Sequence, residues 1–155
     1  MPLANHALVL VTDGRKTLFF RNHGDVNQID LRTEAHDERA DASDGEMKTD
    51  AAGSNAQSGG NGRPSYQETD LHQLEEDRWA KQAAEEVNRR ALANDFDALA
   101  IIAPPKTLGE LRKQLHKEAA KRVVCEISKE MTGHPIPDIE ALLVNATKAD
   151  EPAAV

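Results

Sequence analysis

The chain has 155 residues, a formal net charge of −8, 30% charged residues, 3% aromatic residues and one cysteine. That length holds one domain of two packed layers and not two, and an acidic total excludes indiscriminate coating of nucleic acid while leaving room for a local basic face. Cys125 alone cannot make an intrachain disulfide, no CxxC or His/Cys cluster points to zinc, and no run approaches the roughly 18 apolar residues of a membrane span.

In chain order, residues 7–12 (ALVLVT) form a short apolar strand ended by Asp13-Gly14. Residues 17–22 (TLFFRN) make a second strand, and Asn27 to Arg32 alternates polar and apolar as a half-exposed third. Turns this short join antiparallel neighbours, so the chain opens as a three-strand meander. Residues 34–66 are rich in Gly, Ser, Asn, Asp and Ala, with hardly any large apolar side chains, and read as a flexible acidic loop inserted in a single domain spanning 1–155. Residues 147–155 read as a flexible tail.

A long helix is expected from about Asp70 to Ala93, capped by Asp70 with Gln73 reaching back and ended at Asn94-Asp95. Trp79, Ala83, Val87 and Ala91 form its apolar stripe. Residues 98–103 are apolar on both faces, which suits a buried strand. Pro104-Pro105 forces an extended exit, and Thr107 with Glu110 matches a capping box that restarts the chain as a helix. His116 to Met131 continues the helical spacing, Gly133 fits a helix C-cap, and a last short helix covers Asp138 to Val144. The order β-β-β, loop, α, β, α-α-α implies a mixed four-strand sheet covered by helices, of α/β class bordering on α+β.

Three segments carry a family resemblance: ALVLVTDGRKTLFFRN (7–22), YQETDLHQLEEDRWA (66–80) and IIAPPKTLGELRKQLHKEAAKRVVCEISKEMTGHPIPDIEALL (101–143). Together they resemble the bacterial host attachment proteins, relatives of the archaeo-eukaryotic peptide-chain release factors. Leu71 stands where that pattern has an aromatic, and Trp79 where Phe is usual. The resemblance implies a ribonuclease-H-like sheet with three meander strands and one parallel strand. It also places the counterpart of the release-factor Gly-Gly-Gln loop between the early strands and the long helix. Here Gly59-Gly60-Asn61 occupies that place; Asn is one methylene shorter than Gln and few basic residues flank it, so peptide release is not implied.

Several residues invite a chemical reading. Nuclease chemistry on such a sheet needs carboxylates gathered on Mg²⁺ at strand ends, but Asp13 and Asp97 read as turn residues. Asp70, His72 and Glu76 near the start of the long helix are the candidate acid/base set, although acids are ordinary in a first helical turn. His134 reads as part of a helix end, Cys125 as a small core residue, and no metal or cofactor is called for. The basic stretch Lys106, Arg112, Lys113, Lys117, Lys121 and Arg122, set against Glu110 and Glu118, is the strongest signal for a phosphate- or RNA-binding surface. With so few aromatics it offers no base-stacking platform.

These readings describe a non-catalytic cytoplasmic factor, partnered by the ribosome or RNA and affecting attachment indirectly. A ribonuclease-H-like hydrolase or a direct adhesion protein are the alternatives. Adhesion is opposed by the lack of an export signal, which also supports a reducing, cytoplasmic location.

Overall fold

In the computed structural model, which describes residues 3–38 and 65–150, strand β1 (Leu8–Thr12) pairs antiparallel with β2 (Lys16–Asn22) from Leu8↔Arg21 to Thr12↔Thr17. The connecting turn is built by Asp13, whose Oδ1 accepts from the N–H of Arg15 (2.7 Å) and of Lys16 (2.9 Å). Strand β3 (Leu31–Glu38) pairs antiparallel with β2, with an irregularity between Phe19 and Phe20. The third strand therefore lies further along than the alternation of residues 27–32 predicts. Asp25 Oδ1 accepts from the N–H of Asn27 and of Gln28, both at 2.9 Å, and holds the start of that stretch in a turn.

Helix α1 (Ser65–Leu92) follows, so the segment between β3 and α1 is 39–64, outside the described residues. Asp70 lies inside the helix instead of capping it. The other end is as expected: Asn94 takes φ 57°, its N–H donates to Ala91 O (3.0 Å) and that of Asp95 to Arg90 O (2.9 Å). This left-handed cap satisfies two carbonyls of the last turn.

Strand β4 (Leu99–Ala103) enters parallel to β1, with Leu8 opposite Leu99. Helix α2 (Pro105–Gln114) begins with Pro105 directly after Pro104, without a side-chain cap. Thr107 is buried instead of capping, because proline at the first helical position already supplies the entry geometry. The continuous helix expected from His116 to Met131 does not form. A single turn, α3 (Lys117–Ala120), leads into a fifth strand, β5 (Val123–Ser128), parallel to β4. Cys125 is buried in that strand, not in a helix. Gly133 consequently caps no helix and sits in a turn where the His134 N–H donates to Met131 O (3.0 Å). Helix α4 (Ile136–Asp150) is longer than residues 138–144 and takes in Thr147, whose hydroxyl donates to Leu143 O (2.8 Å).

The sheet order is β3-β2-β1-β4-β5, a mixed five-strand α/β sheet with an antiparallel meander on one side and parallel strands on the other. Alternate residues feed two cores. Leu8, Leu10, Leu99 and Ile101 pack under α1, α2 and α3, with Ala80, Ala84, Val87 and Leu111. Val9, Val11, Ala100, Ile102 and Cys125 pack with Leu3, Ile139 and Leu143, which brings α4 onto the opposite face. Three layers result, one more than the length alone suggests.

Candidate functional site

In open sheets with parallel strands, ligands gather at the carboxyl ends of those strands. Here that edge carries the Asp13 turn, the Pro104-Pro105 exit and the residues after Ser128. Lys16 pairs with Glu38, so the end of β3 reaches the same edge. Helix α1 starts there as well: a Cβ on Gly14 would lie 2.3 Å from Cγ of Glu76, so Glu76 rests on the β1–β2 turn. The stretch from Ser65 to Glu76 is about 16 Å long at 1.5 Å per residue.

Asp13 is fully engaged at this edge. Its Oδ2 accepts from the Thr132 hydroxyl at 2.7 Å, which ties the β1–β2 turn to the segment between β5 and α4. The same hydroxyl lies 2.9 Å from Glu130 Oε1. Asp97 precedes β4 at the other end of the sheet, so the two aspartates do not converge. Of the acid/base set, Glu76 packs on the turn, while the side chains of Asp70 and His72 are outside the described residues, and residues Gly59, Gly60 and Asn61 lie wholly outside them. Two helical positions apart are turned by about 200°, so position 70 lies nearly opposite position 72, whereas 72 and 76 share a face. Among the described residues no group of three or more His, Cys, Asp or Glu side chains is arranged to hold a metal ion.

The basic stretch is divided by the fold. Leu115 and His116 are extended, and Asn88 of α1 clamps the break: its Nδ2 donates to Gln114 O (3.0 Å) and its Oδ1 accepts from the His116 N–H (2.7 Å). His116 then caps α3 by accepting the Glu118 N–H at Nδ1 (3.0 Å). Spacing by four from Lys113 to Lys121 thus does not run along one helix. Arg122 turns inward, donating to Phe96 O (2.7 Å) and Asn94 Oδ1 (3.0 Å). Arg112 pairs with Glu126 of β5 (2.9 Å from Nε), Lys121 with Glu118 (2.9 Å) and, more loosely, Lys113 with Glu110 (3.7 Å). Lys106 and Lys113 line a groove of about 440 Å³ between α1 and α2, with Gln73, Asp77, Gly109 and Glu110. Lys117 and Lys121 lie at the far end of α2, so the fold brings together Lys106 and Lys113 but not the whole set.

Two features give little signal in the sequence. The first is a charge cluster at the end of the sheet away from the groove. Arg21 is 8% exposed and makes five hydrogen bonds: two to the Glu34 carboxylate (both 3.0 Å), two to Asp95 (Oδ2 2.7 Å, O 2.9 Å) and one to His6 O (3.2 Å). Arg90 joins it through Glu34 (2.9 Å) and Glu86 (2.8 Å) and lies 5.0 Å above the Phe19 ring. The hydrogen bond from Arg21 holds the Glu34 carboxyl below the ordinary range against the opposing effect of burial, with further help from Arg90. Its partners are separated by up to 74 residues, so only pairing of the strands reveals it. The second is a cavity of about 340 Å³ lined by Thr17, Phe19, Ala35, Trp79, Gln82, Ala83 and Glu86. The buried Trp79 indole N–H beside it has no hydrogen-bond partner.

A model of the bacterial archaeo-eukaryotic release factor family 12 matches residues 6–143 of this sequence. The chain belongs to that family. The match spans every strand and all but the last turns of α4, and it includes the 39–64 segment where the resemblance places the release-factor loop. None of the curated proteins compared with the chain matches it. Among the described residues of this release-factor-family protein, no helix is long and apolar enough to cross a membrane.

Proposed function

We propose that the protein is a non-catalytic cytoplasmic factor that associates with the ribosome or its RNA, and that any effect on host-cell attachment is indirect. The observation that carries this reading is the release-factor family match over residues 6–143. The exposed lysines of α2 and α3 support it. Lys106 and Lys117 have no ion-pair partner among the described residues, and Lys113 and Lys121, themselves exposed, pair with the partly exposed acids Glu110 and Glu118 in solvent-screened contacts that contribute little. Arg112 and Arg122, bound to Glu126, Phe96 and Asn94, support the fold around that surface.

Cosedimentation with bacterial ribosomes over a salt series tests the proposal. Four phosphate contacts give an affinity loss on the order of a hundredfold between about 50 and about 200 mM salt. Lys106→Glu/Lys113→Glu should weaken association further at every salt concentration. Failure of the native protein to sediment with ribosomes at low salt removes the proposal.

A further inference from the structure

Gly109 sits in the middle of α2, where glycine is among the poorest helix formers. Its backbone is not left-handed, and a Cβ built on it meets nothing within 4 Å. The fold therefore makes no use of the missing side chain. The contrast with Gly14, whose Cβ would collide with Glu76, is direct. What the bare position does is open the groove between α1 and α2, with Lys106 three residues before it and Lys113 four residues after it. All three lie on one face of the helix, with the lysines about 10 Å apart along its axis. Asp77 and Glu110 also line the groove. Asp77 accepts from Gln73 (3.0 Å), and Glu110 accepts from Gln114 (3.2 Å) and is much less exposed than Lys113.

We infer that Gly109 is a close-approach point at which an RNA phosphodiester backbone lies against α2, with Lys106 and Lys113 contacting phosphates on either side. This rests on the ribosome-or-RNA reading and assigns its contact to the α1–α2 groove and to nucleic acid. A notch between two flexible lysines fits a backbone that must come within hydrogen-bond reach of both. A Cβ added at 109 would hold that backbone away while meeting nothing in the protein within 4 Å.

The test uses the full chain against purified bacterial ribosomes and against protein-free ribosomal RNA. Gly109→Leu should keep or raise the thermal midpoint and weaken binding to both probes at least about tenfold, with Gly109→Ala intermediate. Native binding of both probes by Gly109→Leu, with Lys106→Glu/Lys113→Glu still impaired, overturns the close-approach inference and leaves the broader proposal standing. Loss of ribosome binding with native binding to free RNA also overturns it, because the groove then meets a ribosomal protein. Absence of binding by the native chain to either probe removes the broader proposal and this one with it.

Discussion

Arg21 shows how much of this molecule depends on single side chains. Its guanidinium is buried, and its five hydrogen bonds draw together β2, β3, the turn before β4 and the N-terminal segment. Arg21→Ala leaves Glu34 and Asp95 with Arg90 as their remaining shared cation, at 2.9 Å and 3.5 Å. Both carboxylates keep contact with water, so the expected loss is about 2 to 3 kcal/mol and not the larger cost of a fully buried pair. Urea unfolding measures it, and Arg21→Lys should recover little because an ammonium cannot serve the same fork of acceptors. The cluster also sets a pH dependence. Glu34's folded pKa lies below its ordinary value of 4.5, so its contribution is present above that value and is lost as the pH falls through the folded one. Denaturation midpoints taken from pH 7 downward should fall more steeply for the native protein below about pH 4.5 than for Glu34→Gln. Equal slopes would mean that Glu34 is not held in this way.

At the scale of elements, the informative difference is β5. Ala120, Val123, Val124, Ile127 and Met131 fit a helical stripe, and Val123-Val124-Cys125-Glu126-Ile127 fits a strand with similar ease. Local spacing cannot separate the two, but β4 can. A strand buried on both faces needs hydrogen-bonded neighbours at both edges, since bare backbone groups in a core are costly. β1 serves one edge, so a further strand has to serve the other, and 123–128 is the segment that does. The acidic residues 34–38 were obscured for a related reason: composition marks them as loop, while pairing with β2 and the Arg21 contact make them strand. The β1–β2 hairpin, β4 and the Asn94 helix end were legible because short-range turn and periodicity signals determine them. The α2 entry was half legible, with its prolines giving the break but Thr107 not acting as the cap.

The contact between α1 and the β1–β2 turn belongs to this scale too. Gly14→Ala places a methyl group 2.3 Å from Cγ and 2.9 Å from Cβ of Glu76, and although Cγ can rotate about χ1, Cβ is fixed by the helix backbone. Either the turn or α1 has to shift, at a cost of about 1 to 3 kcal/mol. Glu76→Ala in the Gly14→Ala background removes the closer clash, so the pair should be coupled by at least about 0.5 kcal/mol in a double-mutant cycle of unfolding free energies. Simple additivity would show that the two elements do not press on each other.

For the molecule as a whole, the sheet is a wall between two apolar layers, and neither layer suffices alone. The helices α1 to α3 close one face, while the other depends on α4 and the N-terminal segment around Leu3. This division separates support from interaction: the proposed contact lies on the α1–α2 side, and α4 is free to act purely as cover. Ile139 and Leu143 are fully buried against Val9, Val11 and Ile102 from the opposite side of the sheet. Leu143→Ala should therefore cost about 3 kcal/mol of stability while the folded fraction retains native affinity for ribosomes, because the cavity opens on the face away from Lys106 and Lys113. Denaturant titration measures the first effect, and cosedimentation normalised to folded protein measures the second. A loss of affinity in the folded fraction would mean that the two layers are coupled through the sheet, and that α4 helps to shape the groove as well as to cover the core.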